Sequence, residues 1–252
     1  MTALLVDLGN TALKWAMSDD PENPRTYVHA GASAVHGEML QTWLNLRPER
    51  VFGCMVSSEA LALSLTKFFN RYQIEWDWLQ SEKVFEGPFR LENAYENYHQ
   101  LGSDRWHAAI GAVSLFPNQA LIVAQLGTAT TVDTVIPGEK AMRFLGGRIL
   151  AGPSLMISAL TGATRCRYNA IGKSETFPLN TTDAISTGIV EAHIGVFEQA
   201  RKAIRDIGFE PRIVFAGGAA PLLAPYITKA FPDAVQKHNL VLHGLALRAK
   251  LG

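Results

Sequence analysis

The chain of 252 residues sets 23 Lys and Arg against 23 Asp and Glu, and this balance leaves no basic surface of the kind that nucleic acid or an anionic membrane requires. Hydrophobic residues at 48% and charged residues at 18% fit a soluble, well-packed chain of one large or two smaller domains, and no apolar run approaches the roughly 20 residues of a bilayer span. Asp7 interrupts the N-terminal apolar run before it can serve as a signal segment, and Cys54 and Cys166 lack ligand spacing, so a reduced, cytoplasmic chain without a zinc site is expected.

In chain order, Leu4–Leu8 and Ala12–Met17 predict two strands around a Gly9-Asn10 bend, and Thr26–Ala30 a third. Met39, Leu40, Trp43 and Leu44 recur at helical spacing. Val51–Val56 reads as a buried strand, Leu61, Leu65, Phe68 and Phe69 as an amphipathic helix, and Ile74–Leu79 as a closing strand. Ser81–Gln100 is weakly periodic around Gly87-Pro88 and predicts a connector or substrate-facing loop. A helix starts near Ser103, with Trp106, Ile110 and Val113 on one face. Beyond it, Leu121–Leu126, Thr130–Ile136 and Arg143–Leu150 predict three more strands. A helix after Gly152-Pro153 and a long one through Ile185, Ile189, Val196 and Ile204 come next. The strand Arg212–Phe215, a helix through Leu222 and Leu223, and a last helix over Leu240–Lys250 complete the chain. Each half opens with three strands and continues with alternating helix and strand, which predicts a duplicated α/β fold with mixed sheets, divided into residues 1–116 and 117–252.

Two segments repeat one pattern: Asp7-Leu8-Gly9-Asn10-Thr11-Ala12-Leu13-Lys14 and Gln125-Leu126-Gly127-Thr128-Ala129-Thr130. In each, a strand ends in a polar residue, then Gly and small hydroxyl or amide side chains, then a second strand. Glycine permits φ > 0 and brings backbone N–H groups near a ligand, and Asp7 can face a hydrated Mg²⁺. Facing hairpins of this kind would grip nucleotide phosphates, which points to phosphoryl transfer; an ordinary Gly-Asn hairpin turn is the plainer reading. Neither GxxxxGK[ST] nor a strand-borne GxGxxG occurs. In Gly102-Ser103-Asp104-Arg105, Ser103 is a candidate N-cap. The helix start then favours an ionised Asp104 able to take a proton, beside an Arg105 able to hold an anion; a dipole-compensating acid is the alternative. Gly217-Gly218 offers either a surface for a flat base or a tight packing corner, and Gly146-Gly147-Arg148 is equally ambiguous. Trp15, Trp43 and Trp106 occupy core-like positions, His107, His193 and His243 read as satisfied core or surface residues, and Ser57-Ser58 has no nearby activating base.

Taken in order, these motifs resemble the type III pantothenate kinases of the acetate and sugar kinase, Hsp70 and actin superfamily. Asp7 to Lys14 matches DxGNTxxK, Gly102 to Arg105 matches GxDR, Gln125 to Thr131 stands at DxGTAxT, Gly146-Gly147 fits GGxI, Asn180-Thr181 starts a helix, and Gly217-Gly218 lies on the adenosine side. The resemblance implies duplicated ribonuclease-H-like (actin-like ATPase) domains with an interdomain nucleotide cleft. It implies ATP-dependent conversion of pantothenate to 4′-phosphopantothenate, the first step of coenzyme A biosynthesis, by a homodimer. Asp104 is then the general base; Tyr95, Gly102, Ser103, Asp104, Arg105 and Thr181 contact pantothenate; and Asp7, Leu8, Gly9, Asn10, Thr11, Ala12, Leu13, Lys14 and Thr128 hold ATP, with Asp7 facing its Mg²⁺. The family's monovalent-cation ligand (for K⁺ or NH₄⁺) is Asp where this chain has Gln125, which predicts weak or absent potassium activation. Ala151-Gly152-Pro153 and Tyr98 also depart from the family's loops. A kinase for another small hydroxylated substrate such as a sugar, or a non-catalytic regulator of the Bvg accessory factor type, are the alternatives.

Overall fold

The computed structural model describes residues 2–29, 32, 34–56, 59–163 and 172–251. In chain order its elements are β1 (Ala3–Leu8), β2 (Ala12–Met17), β3 (Arg25–Val28), α1 (Gly37–Leu46), β4 (Arg50–Met55), α2 (Glu59–Arg71) and β5 (Glu75–Trp78). Then come β6 (Val84–Glu86), β7 (Arg90–Asn93), a 3₁₀ turn (Tyr98–Gln100), α3 (Ser103–Leu115), β8 (Leu121–Leu126), β9 (Ala129–Pro137) and β10 (Met142–Ala151). The chain ends with α4 (Pro153–Ala163), α5 (Thr181–Arg205), β11 (Arg212–Ala216), α6 (Ala220–Ala230), β12 (Val235–Gln236) and α7 (Leu240–Leu251). These gather into two units, one made of Met1–Asn118, Pro137–Phe144 and Asn239–Gly252, the other of Gln119–Ile136 and Leu145–His238.

In the first unit a sheet of order β3-β2-β1-β4-β5 places β1 at its centre, antiparallel to β2 and parallel to β4. A central strand covered on both faces must be apolar on both, which accounts for the nearly unbroken Ala3–Leu8 run. Leu4, Val6 and Leu8 point into a core with Trp43, Leu61, Leu65 and Phe69. Trp43 anchors this core, edge-on to Trp15 at 6.0 Å and stacked on Phe69 at 5.8 Å. The period of two therefore sends Ala3, Leu5 and Asp7 to the opposite face, where α7 meets β1 and both α3 and α7 meet β4. Helices α3 and α7 approach so closely that a Cβ on Gly111 would stand 2.1 Å from the Leu240 carbonyl oxygen, and one on Gly244 2.1 Å from that of His107. The last helix thus packs with the first unit, where it holds α3 firmly in place.

The stretch Ser81–Gln100 is not the loop its weak periodicity predicts. β6 and β7 form an antiparallel hairpin about Gly87-Pro88, and Met142–Phe144 of β10 runs parallel to β7. Phe85 and Leu91, partners in that register, are fully buried. Strands of three and four residues are too short to display a period in sequence, which explains the discrepancy. The two-residue β12 escapes prediction for the same reason.

In the second unit β8 runs antiparallel to β9 and parallel to β11, and β11 runs parallel to β12. Ile122, Ala124, Leu126, Phe197, Ile213, Phe215, Leu223 and Ile227 share its core with α5 and α6. Gly146-Gly147 lies inside the continuous strand β10 rather than after a strand, with Gly146 at φ 119. The expected third strand is shorter than Thr26–Ala30, ending at Val28, and Ala30 itself falls outside the described residues.

Candidate active site

Asp7 stands in the penultimate position of β1 with Lys14 beside it on β2 and Cys54 beside it on β4. The Cys54 thiol, itself buried, donates to Asp7 Oδ1 at 3.7 Å. Burial pushes the Asp7 carboxyl up to about 6; the Lys14 charge opposes this, the Asp104 charge adds to it, and the Cys54 contact lowers it slightly. Burial also pushes the Cys54 thiol well up, reinforced by the charges of Asp7 and Asp104, so the sulfur is a neutral donor. Among the described residues no three His, Cys, Asp or Glu side chains are grouped to hold a metal on their own.

The bend after β1 closes with Gly9 N–H donating to the Ala12 carbonyl at 3.1 Å. Gly9 is not in the positive-φ region that glycine was expected to supply. Asn10 and Thr11 are exposed and Ala12 half-buried, whereas the Leu8 and Leu13 side chains are fully buried, which leaves those two only backbone atoms to offer a ligand. A residue that no motif marks, His29, sits against this bend: its ring Nε2 lies 2.8 Å from the Gly9 carbonyl oxygen, and its backbone N–H donates to the Thr11 carbonyl at 3.0 Å.

Asp104 lies in the first turn of α3, but the N-cap is Gly102 rather than Ser103, and it makes no side-chain cap. Ser103 is instead the first helical residue, buried, with its hydroxyl 3.4 Å from the Met55 carbonyl oxygen. The helix-start N–H groups favour an ionised Asp104 as expected, but the net shift is upward. Burial raises its carboxyl above the ordinary range, outweighing the 2.8 Å hydrogen bond from the Arg105 N–H and the Arg105 charge, both of which lower it. Arg105 is buried, its Nη1 donating to the Tyr95 hydroxyl at 3.0 Å with the guanidinium 5.7 Å from the Tyr95 ring centre. Tyr95 is held from the other side by Phe144 at 6.1 Å and by its N–H donating to Asn93 Oδ1. Asp7, Lys14, Asp104, Arg105 and Tyr95 thus all belong to the first unit, with the carboxyls of Asp7 and Asp104 within electrostatic reach of each other.

The second bend follows β8 over residues 127–129, with Gly127 N–H donating to the Ala129 carbonyl at 3.1 Å and Thr128 exposed. Gln125 pairs with Thr131 across β8 and β9, and the Gln125 Nε2 and Thr131 Oγ1 atoms are buried without a hydrogen-bond partner among the described residues. Gly217 at φ +113 would drive a Cβ to 2.2 Å from the Leu126 carbonyl oxygen, as a packing corner requires, whereas a Cβ on Gly218 would meet nothing within 4 Å. Gly152 is as tight against the Gly127 carbonyl oxygen, at 2.0 Å. Thr181 is the exposed first residue of α5, capped by Asn180, whose side chain accepts from the Asp183 N–H at 2.9 Å. His193 is buried and satisfied: Nδ1–H donates to the Ile189 carbonyl at 2.7 Å, so Nε2 accepts from the Thr130 hydroxyl at 3.0 Å. His243 pairs with Glu22 at 3.2 Å, while the buried His107 bonds only through Nδ1 to Ser103 and leaves Nε2 without a partner among the described residues. Cys166 and Ser57-Ser58 lie outside the described residues.

An α/β fold with a carboxylate near the end of its central strand, a small-residue bend beside it and a second acid at a buried helix start is an arrangement suited to phosphoryl transfer. Solved structures agree with the fold. A Baf family protein described as a transcriptional activator from Campylobacter jejuni aligns with TM-score 0.62 at 20% identity, covering 98% of both chains. A ROK family protein from Streptococcus pneumoniae aligns with TM-score 0.50 at 13% identity, covering 98% of this chain and 97% of that one. The chain belongs to the type III pantothenate kinase family, whose profile matches residues 3–203. The type III pantothenate kinase of Paracidovorax citrulli is 35% identical, the alignment covering 97% of this chain and 96% of the relative. That of Herminiimonas arsenicoxydans is 38% identical, covering 96% and 95%.

Proposed function

We propose that this chain transfers the γ-phosphoryl group of ATP to the hydroxyl of pantothenate, giving 4′-phosphopantothenate and ADP at the entry to coenzyme A biosynthesis. The observation that carries this reading is the gathering of Asp7 with Asp104 and Arg105, from two separate motif segments of the family, within one unit. Asp104 is the general base: as the pantothenate oxygen bonds to the γ-phosphorus and the bond to ADP breaks, its carboxylate accepts the hydroxyl proton. A carboxyl raised by burial is a stronger base once ionised, which suits that task. Arg105, held by Tyr95, presents its guanidinium to the pantothenate carboxylate, and Gly102, Ser103, Tyr95 and Thr181 complete the substrate contacts. Asp7 to Lys14, with Thr128, hold ATP, Leu8 and Leu13 through backbone only. One carboxylate at Asp7 fits a Mg²⁺ that arrives largely ligated by ATP phosphates, which would neutralise charge on the transferring group. Roles for Thr128 and Thr181, in the second unit, rest on their motif positions. The sequence halves 1–116 and 117–252 represent the two ribonuclease-H-like repeats.

The neutral Gln125 argues for an enzyme with little response to K⁺ or NH₄⁺. Homodimerisation is supported by apolar side chains exposed on the second unit, Leu155, Leu160, Phe177 and Leu179, beside the long helix α5. No described helix is long and apolar enough to cross a membrane, and a cytoplasmic location matches the substrates.

The direct test is ADP release by the purified protein with pantothenate present and absent. Pantothenate-dependent release supports the reading, release only with a sugar from a substrate panel replaces the acceptor, and stoichiometric ATP binding without turnover favours a regulator. Asp104→Asn is expected to cut kcat by about 10²–10⁴-fold with ATP affinity nearly unchanged; retained turnover would remove the base assignment.

A further inference from the structure

We infer that His29 is a positioning residue for the nucleotide triphosphate, acting through the bend between β1 and β2. This rests on the reading of that bend as the ATP phosphate loop. β3 is an edge strand, paired among the described residues only with β2, and its surroundings are largely exposed: Val28, the last residue of the strand, is 63% exposed. His29 immediately follows and is 5% exposed, out of keeping with a polar residue on a solvated edge. Its burial is explained by what it touches. A carbonyl oxygen can only accept, so the 2.8 Å contact with Gly9 requires the proton on ring Nε2, and the backbone N–H of the same residue donates to Thr11 at 3.0 Å.

One residue therefore ties down the carbonyls on either side of Asn10. Each engaged oxygen carries partial negative charge that would repel a phosphate if it swung toward one. Fixing both gives the Gly9–Ala12 bend a single shape before the ligand arrives. Preorganisation of this kind acts on affinity for the phosphates while leaving adenosine and the acceptor largely unaffected.

The test uses the full chain and two substitutions. His29→Ala removes the ring donor; His29→Gln restores an N–H near the Nε2 position. Calorimetric titrations with Mg²⁺ and a non-hydrolysable ATP analogue, and separately with AMP, are paired with steady-state kinetics. The triphosphate affinity of His29→Ala should fall about tenfold, the loss of roughly one hydrogen bond, with AMP affinity and the pantothenate KM within about twofold of wild type. His29→Gln should regain most of the loss. Unchanged triphosphate affinity in a folded His29→Ala protein, equal losses for AMP and triphosphate, or a glutamine variant no better than alanine would each overturn the inference. If His29→Ala does not fold, His29→Asn, too short to reach the Gly9 carbonyl, takes its place against His29→Gln with the same expected contrast. A wild type that binds the analogue through His29 but leaves pantothenate unphosphorylated refutes the proposed acceptor and keeps this inference; an active wild type indifferent at position 29 does the reverse.

Discussion

The two glycine bends share a sequence pattern, yet they are supported in different ways. The first spans residues 9–12 between the Leu8–Leu13 pair and is gripped by a side chain, His29. The second spans residues 127–129 between the Leu126–Thr130 pair and is braced by backbone, with Gly152 and Gly217 pressed against the carbonyls of residues 127 and 126. The polar residue before each bend differs as well: Asp7 is ionisable, flanked by Lys14 and Cys54, and close to a second acid, whereas Gln125 is neutral, its amide nitrogen without a partner among the described residues. A duplicated motif therefore need not carry duplicated chemistry. The first copy holds the charge and depends on side chains to tune it; the second supplies shape and depends on the absence of side chains.

The largest effect that separates the copies is on turnover. Asp7→Asn is expected to reduce kcat/KM for MgATP by about 10²–10³-fold, the scale of losing one preorganised charge at the reacting phosphates. Gln125→Ala, measured in the same assay, should cost about tenfold or less, as a neutral side chain contributes no comparable field. Equal losses would mean that both bends carry the same load.

The next contrast is in stability. Gly217→Ala combines φ +113 with a Cβ placed 2.2 Å from a backbone oxygen, so the corner has to move. We expect a loss of about 3 kcal/mol or more and a melting temperature lower by roughly 6–12 °C. Gly127→Ala meets only an ordinary contact at 3.5 Å and should lower it by no more than about 3 °C. A thermal melt in which the two variants behave alike would show that the second bend is not braced from behind.

The sequence displayed much of this arrangement and hid the rest for physical reasons. Long helices with one apolar face, such as α2 and α5, announce themselves by period, β1 announces itself by its nearly unbroken apolar run, and the family motifs mark Asp7, Asp104 and Arg105. What stayed hidden depends on contacts between segments distant in the chain. His29 and Cys54 reach the first bend and Asp7 only through strand register, and neither belongs to a local pattern. Ser103 looks like an N-cap by residue type, but burial against Met55 pulls it into the helix and leaves the cap to Gly102. The direction of the Asp104 shift was equally invisible, since a helix-start argument weighs the dipole and cannot weigh the burial that overrides it.

A pH titration of stability sharpens the charge asymmetry further. The Asp7 carboxyl is raised from 3.8 to about 6, so between those values the folded ligand-free protein keeps a proton that the unfolded chain has released. Folding is then favoured as pH falls through this window, and the ionised Asp7 costs stability above it, by up to about 3 kcal/mol. Asp7→Asn should match wild type near pH 4 and become progressively the more stable protein as pH rises to 6, the gap levelling off above it, as denaturant unfolding at several pH values would reveal. A constant difference between the two across pH 4–8 would contradict the assigned cause.

The smallest expected effect concerns the neutral copy. Gln125 and Thr131 are register partners, and Gln125 Nε2 and Thr131 Oγ1 are each buried without a hydrogen-bond partner among the described residues, an arrangement that costs desolvation and gives a cation one amide oxygen but no charge. Replacing KCl by NaCl at fixed ionic strength should therefore change wild-type turnover by less than about twofold, since no net charge at this position rewards a particular ion. Gln125→Asp restores a carboxylate whose register partner, Thr131, offers at most one hydroxyl donor, too little to satisfy the charge. Such a group recruits either a proton or a cation, so the variant should gain about a fivefold dependence of turnover on K⁺, on the scale of one surface-accessible charge interaction. A wild type that already demands K⁺, or a variant as indifferent as its parent, would place the charge balance of the second bend in some residue other than 125.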